Sequence, residues 1–338
     1  MSDENERGGS LKGIGGFFGI DTRSSQGIHD GARGFNTARN AFSALLDVLR
    51  RGKDPFPARI FLPVFNCADV TEMIRRHHPD IDVVPYNITD QFEPIVDRSF
   101  DDARDMLYLV DYFSLSAAVT SKARPGTTVD NVQAFFRSPL AGAHTLYSAR
   151  KFFGVPDGGY LYTDVQVPVP KPAIMWDRAA YLLKRLDTGA QSAYGDFVEA
   201  EKRLTESAVQ GMSNLSAALI ASIDMDWVRQ SRLDNFRYLH AAVGHSNQLK
   251  VNVDAALLDP GFVPFTYPLL MDGGERTRSL LIEHNIYVPM YWAGVVTDPH
   301  STEFERHFAR NTVHLPIDQR YKRTNMDLIL RYLGFVGL

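Results

Sequence analysis

The sequence predicts an α/β fold: a large domain with a mostly parallel, mixed sheet flanked by helices, followed by a smaller C-terminal α+β domain. Three observations lead to this prediction. Short apolar runs alternate with amphipathic stretches from about Gly34 to Thr163, residues 177–222 are polar and rich in helix formers, and a second alternation follows. Strands that alternate with helices are typical of a parallel sheet with helices packed on it.

The first half of the chain supplies one clear helix and six strands. Thr37–Arg50 is predicted as a helix because its apolar residues recur at helical spacing on one side. The run MLYLV is continuously apolar, as expected of a strand covered on both faces. The predicted strands, of a seven-stranded type of sheet, are Arg59–Pro63, Asp82–Tyr86, Met106–Val110, Gly126–Asp130, Thr145–Ser148 and Gly159–Thr163.

The second half reads as a connecting helix that leads into a separate small unit. The helix is predicted at Ile223–Asn235, and the unit contains strands at Pro264–Met271 and Ile286–Pro289 with helices at Arg276–Glu283 and Asn325–Leu333. We therefore expect a disordered tail at 1–12, a large domain with an N-terminal arm at 13–222, and a small domain at 223–338. The tail prediction rests on its Gly, Ser, Asp and Glu content, which buries no core.

Composition excludes several classes of function. The 338 residues carry 36 Lys plus Arg against 40 Asp plus Glu, a net charge of −4, which argues against a nucleic-acid partner. Cys67 is the single cysteine, so an intrachain disulfide is excluded. The polar, acidic start differs from a signal peptide, and no apolar run approaches the roughly 18 residues of a membrane span. We expect a cytoplasmic protein that binds no membrane.

Three apparent motifs fail on inspection. The glycines of Gly13–Gly19 lack the third position of a dinucleotide loop, where Phe18 stands instead. Ser148-Ala-Arg-Lys151 matches the S-x-x-K pattern of penicillin-binding enzymes without its partner motifs. The pair His77-His78 has no further ligands nearby and is predicted to be a solvated surface pair, so no metal site is expected.

The informative segment runs from Asp130 to Gly159. Asp130 ends an apolar strand, Lys151 follows another strand end, and Ser148 lies three residues before that lysine. Singly, these residues would read as a turn cap, a solvated lysine and a turn hydroxyl. Together they match the needs of pyridoxal 5′-phosphate (PLP): a carboxylate for the ring nitrogen, an amine for a Schiff base, and donors for the phosphate.

With these motifs in order, the chain resembles the DegT/StrS-type family of PLP-dependent sugar aminotransferases, which have the aspartate-aminotransferase fold (fold type I). The resemblance extends over about residues 13–335. Its pieces are Thr37-Ala-Arg39-Asn40, Pro63-Val-Phe-Asn66-Cys67, Asp111-Tyr112-Phe113-Ser114, Asp130-Asn-Val-Gln133, Ser148-Ala-Arg-Lys151 with Gly158-Gly159, Met212-Ser-Asn-Leu, and Leu315-Pro-Ile-Asp.

The resemblance implies a role for each matching residue. Lys151 would be the catalytic Schiff-base lysine and Asp130 the partner of the pyridinium nitrogen, with Gln133 near the ring hydroxyl. Thr37, Ala38, Arg39 and Ser148 would hold the phosphate. The family also implies a homodimer with its active sites at the interface.

The chain departs from the family pattern at three places. Cys67 stands where an aromatic residue usually stacks on the cofactor ring, and Ser114 replaces a common glycine. Val209-Gln210-Gly211 precedes Met212 in place of an N-x-R motif, whose Asn reaches the partner's phosphate. These departures concern the substrate more than the cofactor.

The resemblance implies an aminotransferase that moves an amino group from an amino acid to a keto sugar. Glutamate is the favoured donor. The acceptor is expected to be nucleotide-linked and to serve the synthesis of surface polysaccharide or of a secondary metabolite. Other PLP chemistry, such as elimination, and a lapsed paralogue that acts as a binding module are the alternatives. Family dehydratases replace the lysine with histidine, and Lys151 is present here. Candidate substrate residues are Tyr112, Arg150, Trp292, His314 and Tyr321. Trp292 could instead be a core residue, and His314 could be a turn residue. Arg150 could instead form an ion pair.

Overall fold

The computed structural model describes residues 20–23, 27–51, 56–96, 99–116 and 118–334. The predicted tail at 1–12 and the glycine-rich stretch Gly13–Gly19 lie outside the described residues. Within them, no helix is both long enough and apolar enough to cross a membrane. The same part of the chain contains no group of three or more His, Cys, Asp or Glu side chains that could hold a metal ion.

An eight-stranded mixed sheet forms the centre of the first half. Five neighbouring strands, in the order β7, β6, β5, β2 and β3, run parallel, while β8 and β1 extend one edge and β4 the other in antiparallel fashion. The strands are β1 Arg33–Phe35, β2 Arg59–Pro63, β3 Asp82–Ile88, β4 Pro94–Ile95, β5 Asp105–Val110, β6 Thr128–Asp130, β7 His144–Ser148 and β8 Gly159–Tyr162.

All six predicted strands are therefore present, and the α/β fold class is confirmed. The sequence missed two short strands, β1 and β4, so the seven-stranded expectation is wrong by one. Only two residues of β4 pair with β3, at Asn87↔Ile95 and Ile88↔Pro94. Proline is compatible with this position because β4 is an edge strand, where one side of the backbone needs no ladder hydrogen bond.

Eleven helices are found among the described residues. The helices before residue 222 are α1 Ala38–Leu49, α2 Ala68–His77, α3 Ala118–Lys122, α4 Ala180–Thr188, α5 Ala190–Thr205 and α6 Asn214–Ala221. Those after it are α7 Met225–Val243, α8 Val253–Leu258, α9 Gly274–Glu283, α10 Glu303–Asn311 and α11 Arg323–Tyr332. Helix α1 begins where the Thr37 side chain accepts a hydrogen bond from the Asn40 N–H, and it buries its apolar side against the sheet.

The C-terminal unit contains a two-stranded antiparallel sheet, β9 Tyr267–Leu270 with β10 Thr312–Leu315. The prediction of a strand at Ile286–Pro289 is wrong. Ile286 and Val288 are buried, so the alternating apolar pattern was real, but within the described residues this backbone pairs with no strand. The partner of β9 is instead β10, which directly follows α10, a helix absent from the sequence prediction.

One continuous apolar core joins the two halves of the chain, with Phe61 and Leu109 from the large sheet and Phe308 and Leu315 from the C-terminal unit among its members. The buried Glu305 on α10 links the C-terminal unit to strand β3 of the large sheet. Its carboxylate accepts hydrogen bonds from the Ile88 N–H at 3.0 Å and from the Asn87 amide at 2.7 Å. The division at residue 222 into two domains stays a prediction.

The interpretation of His77-His78 as a solvated surface pair is wrong for one member. His77 is exposed, but His78 is buried, and its Nε2 lies 3.0 Å from the Ser43 hydroxyl on α1. His78 caps the end of α2, where the chain turns the ring inward instead of continuing the helix. It therefore helps to join α1 and α2.

Candidate active site

Asp130 is a buried carboxylate at the carboxyl end of β6. Its Oδ1 accepts a hydrogen bond from the Val132 N–H at 2.8 Å, and its Oδ2 accepts one from the Tyr108 hydroxyl at 2.8 Å. Burial raises the pKa of Asp130, while these two donors and the charge of Lys151 act in the opposite direction. The carboxylate is thus oriented by the protein and has lone pairs left for a further donor.

Lys151 lies in a single 3₁₀ turn, Ala149–Lys151, that follows β7, the strand next to β6. Its side chain is exposed to solvent in the single chain. Surrounding protein nevertheless removes part of its hydration, which together with the nearby Arg150 lowers the pKa of the Lys151 amine. The charge of Asp130 opposes this shift. A lowered pKa favours the neutral amine that a nucleophile requires.

The backbone on either side of Lys151 is anchored. The Phe152 carbonyl accepts hydrogen bonds from the Gln319 amide at 2.8 Å and from Arg232 Nη2 at 3.3 Å, both in the C-terminal half of the chain. On the other side, Arg150 forms an ion pair with Glu201 on α5. These contacts fix the turn that carries the lysine.

The N-terminus of α1 and the end of β7 meet at Gly159. Ser148 lies opposite Gly159 in the ladder between β7 and β8, and a Cβ on Gly159 would overlap the backbone of Thr37 and Ala38. Glycine is therefore required for the close approach of the helix to the strand. It brings Ser148 next to the first amides of α1, which have no partner within the helix. We call Thr37, Ala38, Asp130, Ser148 and Lys151 the strand-end site.

Arg39 and Cys67 lie beside this site on α1 and at the start of α2. The Arg39 guanidinium forms an ion pair with Asp69, and the Arg39 backbone N–H lies in the first turn of α1, where it is available to a phosphate. Cys67 is half-buried, and burial followed by the charge of Asp69 raises the pKa of its thiol, against the effect of Lys151. The thiol is therefore held in its neutral form.

Gln133 connects the strand-end site to a group of aromatic rings. Its side-chain carbonyl accepts a hydrogen bond from the Phe113 N–H at 3.1 Å, which leaves its NH₂ group for other contacts. The Phe113 ring lies 4.8 Å from the ring of His314, which in turn lies 4.7 Å from that of Tyr291. We call Phe113, Tyr291, Trp292 and His314 the aromatic cluster.

Two predicted substrate residues, Trp292 and His314, belong to this cluster. His314 is buried, burial lowers its pKa to about 3, and its Nδ1 has no hydrogen-bond partner among the described residues. Trp292 is half-buried and packs edge-on against Phe65 at 4.7 Å. Both therefore have core contacts, and their role in substrate binding stays a prediction.

The other three predicted substrate residues are not members of the cluster, although the Tyr112 ring packs against Trp292 with 5.7 Å between ring centres. Tyr112 is buried, and its hydroxyl donates to the Phe65 carbonyl at 2.8 Å, which gives it a structural contact. Arg150 takes the ion-pair alternative through Glu201. The half-buried Tyr321 lies under the Arg320 guanidinium, 5.2 Å from its ring centre. These contacts lend no support to a substrate role for the three residues.

Sequence reasoning missed four residues that support the site. Tyr108 was counted only as part of an apolar run, although it donates to Asp130. Arg232 and Gln319 hold the backbone next to Lys151. Asp157 is buried and accepts hydrogen bonds from the N–H and hydroxyl of Ser213, at 2.8 and 2.5 Å, which fix the start of α6. A buried Asp followed by Gly-Gly was a signal that could have been read.

The strand-end site has the parts that PLP requires. A buried, oriented carboxylate and an accessible lysine lie at the ends of neighbouring parallel strands, the edge where ligands bind in such sheets. A serine and a helix N-terminus, which attracts anions, converge at Gly159. The residues present therefore fit this cofactor.

No protein-family model matches the sequence, and no curated protein matches it. Solved structures do match. The chain is similar to a DegT DnrJ EryC1 StrS aminotransferase of Brucella abortus, with 16% identity and a TM-score of 0.58 over 91% of this chain and 86% of the other.

Two further structures give the same picture. The sugar aminotransferase CalS13 of Micromonospora echinospora has 12% identity and a TM-score of 0.59, over 89% of this chain and 86% of the other. The GDP-4-keto-6-deoxy-D-mannose-3-dehydratase of E. coli, with bound hydrated PLP, has 12% identity and a TM-score of 0.57, over 89% and 87%. The predicted resemblance is confirmed in three dimensions: this chain has the fold of the DegT/StrS-type sugar aminotransferases.

Proposed function

We propose that this protein is a PLP-dependent aminotransferase that transfers an amino group from an amino acid to a keto sugar. The observation that carries the proposal is the strand-end site, where Asp130 and Lys151 follow neighbouring parallel strands and Ser148 lies next to the N-terminus of α1. The similar folds of sugar aminotransferases support it.

Each residue has a definite task in this proposal. Lys151 binds the cofactor covalently through Nζ, and Asp130 holds a proton on the ring nitrogen. Ser148, Thr37 and the first amides of α1 bind the phosphate, with Ala38 and Arg39 contributing through their backbone. Gln133, whose NH₂ group is left for other contacts, would bind the ring hydroxyl, and Cys67 would take the place of the usual aromatic side chain.

The cofactor, once bound, supplies an electron sink that stabilises negative charge on the carbon of the donor. Lys151 would move a proton at its Nζ to and from that carbon, and accepting the proton requires a neutral amine at neutral pH. The lowered pKa of Lys151 suits this task. The anchored Phe152 carbonyl and the Arg150–Glu201 ion pair hold the lysine backbone in place during the transfer.

We take glutamate as the first donor to test and a nucleotide-linked keto sugar as the acceptor, for the synthesis of polysaccharide or of a secondary metabolite. Tyr291 and Trp292, the two half-buried members of the aromatic cluster, support a sugar acceptor, because such rings offer an apolar face with a polar atom at the edge. The cluster adjoins Gln133 through Phe113, so an acceptor there would lie beside the cofactor.

We further propose a cytoplasmic homodimer. Large apolar side chains are exposed on α4, α5 and the segment before them, which is unusual for a monomer surface and is expected of an interface. They are Ile174, Trp176, Leu183, Leu186, Tyr194 and Val198. Helix α5 also carries Glu201, the partner of Arg150, so a second copy docked there would lie near the lysine turn. Light scattering on the wild type and on Leu186→Glu would test this, with a monomeric wild type as the contradicting result.

The visible absorption spectrum with added PLP tests the central proposal. We expect a band that needs Lys151 and disappears when glutamate is added, as the cofactor takes up the amino group. Lys151→Ala should remove the band. Lys184→Ala is the matched control, because Lys184 is a surface lysine in an ion pair with Asp196, and it should keep the band.

The other outcomes distinguish the alternatives. A Lys151-dependent band that no amino acid changes would favour other PLP chemistry, such as elimination. A spectrum without any lysine-dependent band would overturn the proposal and favour a lapsed paralogue that acts as a binding module.

A further inference from the structure

Tyr108 lies behind Asp130 on the neighbouring strand β5. Tyr108 and Val110 pair with Thr128 and Asp130 in the parallel ladder, so Tyr108 and Asp130 project from the same side of the sheet. The Tyr108 hydroxyl donates to Asp130 Oδ2 at 2.8 Å. The phenol ring is almost fully buried and packs against Phe42 of α1, with 5.1 Å between ring centres.

We propose that Tyr108 is a positioning residue that sets the proton affinity of Asp130 and, through it, the charge on the ring nitrogen of the cofactor. This inference rests on the proposed function. Tyr108 holds one carboxylate oxygen and the Val132 N–H the other, so Asp130 has one direction left for the ring. Nothing in the local sequence motif around Asp130 includes this tyrosine.

The charges around this pair favour a neutral phenol donor. Burial, followed by the Asp130 carboxylate, raises the pKa of Tyr108 far above its ordinary value, so the hydroxyl keeps its proton. The other titratable groups that face the pair are Cys67, Tyr86, Tyr112 and Lys151. A hydrogen bond to a charged acceptor stabilises the charged form, so the phenol makes Asp130 a weaker base than its burial alone would.

Removal of the hydroxyl should therefore move a shared proton from the ring nitrogen toward Asp130. The nitrogen that joins Lys151 to the cofactor is sensitive to the charge on the ring. A ring with less positive charge repels the proton on this nitrogen less strongly, and the pKa of the nitrogen therefore rises. In Tyr108→Phe we expect the pH midpoint of the visible band to rise by roughly half a unit to one unit. This is smaller than the full effect of one hydrogen bond to a charged group, because only part of the change at Asp130 reaches the nitrogen bound to Lys151.

Tyr86→Phe is the matched control. The Tyr86 hydroxyl, on β3, is also buried and donates to the Tyr108 carbonyl on β5 at 2.7 Å, whereas the donor to Asp130 is the Tyr108 hydroxyl. Its removal should cost similar stability and leave the band midpoint unchanged. Tyr108→Leu is the second variant without the donor, should the phenylalanine variant fail to fold.

Two measurements complete the test by removing the receiving group. With a cofactor analogue that has carbon in place of the ring nitrogen, or in the Asp130→Asn background, Tyr108→Phe should no longer shift the midpoint. An equal midpoint in wild type and Tyr108→Phe, or tighter PLP binding by the variant, would overturn this inference while leaving the wild-type band intact. A wild type without a Lys151-dependent band would instead overturn the proposed function.

Discussion

The strand-end site and the aromatic cluster adjoin each other but differ in construction. In the strand-end site, Asp130 accepts a hydrogen bond at each oxygen, and the turn of Lys151 is anchored on both sides. In the aromatic cluster, rings pack at centre distances of 4.7 and 4.8 Å around a histidine whose Nδ1 meets no hydrogen-bond partner in the described part of the chain. One region is organised by directional hydrogen bonds, and the other by packing.

This difference explains why the two regions tolerate change differently. A directional site loses function when one donor or acceptor is removed, because its geometry cannot relax to another arrangement. A packed cluster depends on shape and volume, and a change of one polar atom costs little. Substitutions that preserve shape and remove a polar group should therefore harm the strand-end site far more.

The largest effect should come from Asp130→Asn. The amide is nearly isosteric but cannot hold a proton on the ring nitrogen, so we expect transamination to fall on the order of a thousandfold, with the fold retained. Steady-state kinetics and a thermal melt measure the two quantities.

Asp111→Asn is the matched control for this prediction. Asp111 is equally buried at the end of the neighbouring strand β5, and it is paired with Arg137 at 3.3 Å instead of facing the lysine. It should lower the melting temperature and keep most of the activity. If both variants lost activity alike, the distinction between a cofactor carboxylate and a structural one would be wrong.

The second effect concerns the close approach at Gly159. A methyl group there would overlap the backbone of Thr37 and Ala38 and push α1 away from Ser148. We expect Gly159→Ala to lower the free energy of unfolding by about 1–3 kcal/mol, as overpacking does. PLP should bind at least roughly tenfold more weakly, because the phosphate donors separate.

Gly195→Ala is its control, since a methyl group on this α5 residue meets no atom within 4 Å. It should leave PLP binding unchanged and stabilise the helix by up to about 1 kcal/mol. Equal PLP affinity in wild type and Gly159→Ala would show that the phosphate is held elsewhere.

The contrast between the two regions also explains what the sequence could predict. Asp130, Ser148 and Lys151 were identified because short motifs at strand ends predict both position and chemistry. The strands that carry them were predicted within a residue or two, since each is a short apolar run bounded by turn residues. The local pattern and the parallel sheet together determine this edge.

The partners contributed by distant segments were not predictable in the same way. Tyr108 was hidden in an apolar run, and Arg232 in a polar helix some 80 residues from the Phe152 carbonyl that it holds. The false strand at Ile286–Pro289 failed for a related reason. Its alternating apolar residues indicate burial only. Pairing with β9 depends on which segment the tertiary fold places beside it, and that segment is β10.

A third prediction tests whether His314 is buried as a neutral ring. Because its pKa is lowered to about 3, the unfolded chain binds a proton below pH 6.5 that the folded chain does not. The free energy of unfolding should therefore decrease as the pH is lowered from about 6.5 to 3. Between pH 7.5 and 5, His314 should account for about 2 kcal/mol of this decrease. Denaturant unfolding of wild type and His314→Phe at both pH values measures this share.

His29, buried with its pKa lowered to about 4, is present in both proteins, so its similar contribution cancels in the comparison. An unchanged pH dependence in His314→Phe would mean that the ring gains a proton in the folded state. In that case the aromatic cluster would be open to solvent or to a charged ligand, contrary to the packed arrangement described above.

The smallest effect should come from Tyr112→Phe, which decides between a core residue and the substrate contact predicted from sequence. The variant loses only the hydrogen bond to the Phe65 carbonyl and keeps the ring among its aromatic neighbours. We expect a loss of about 1 kcal/mol in the free energy of unfolding and no change in KM for either substrate. A tenfold rise in KM for the acceptor at unchanged stability would instead mean that the hydroxyl turns to the substrate, because a bound ligand would then replace Phe65 as its acceptor.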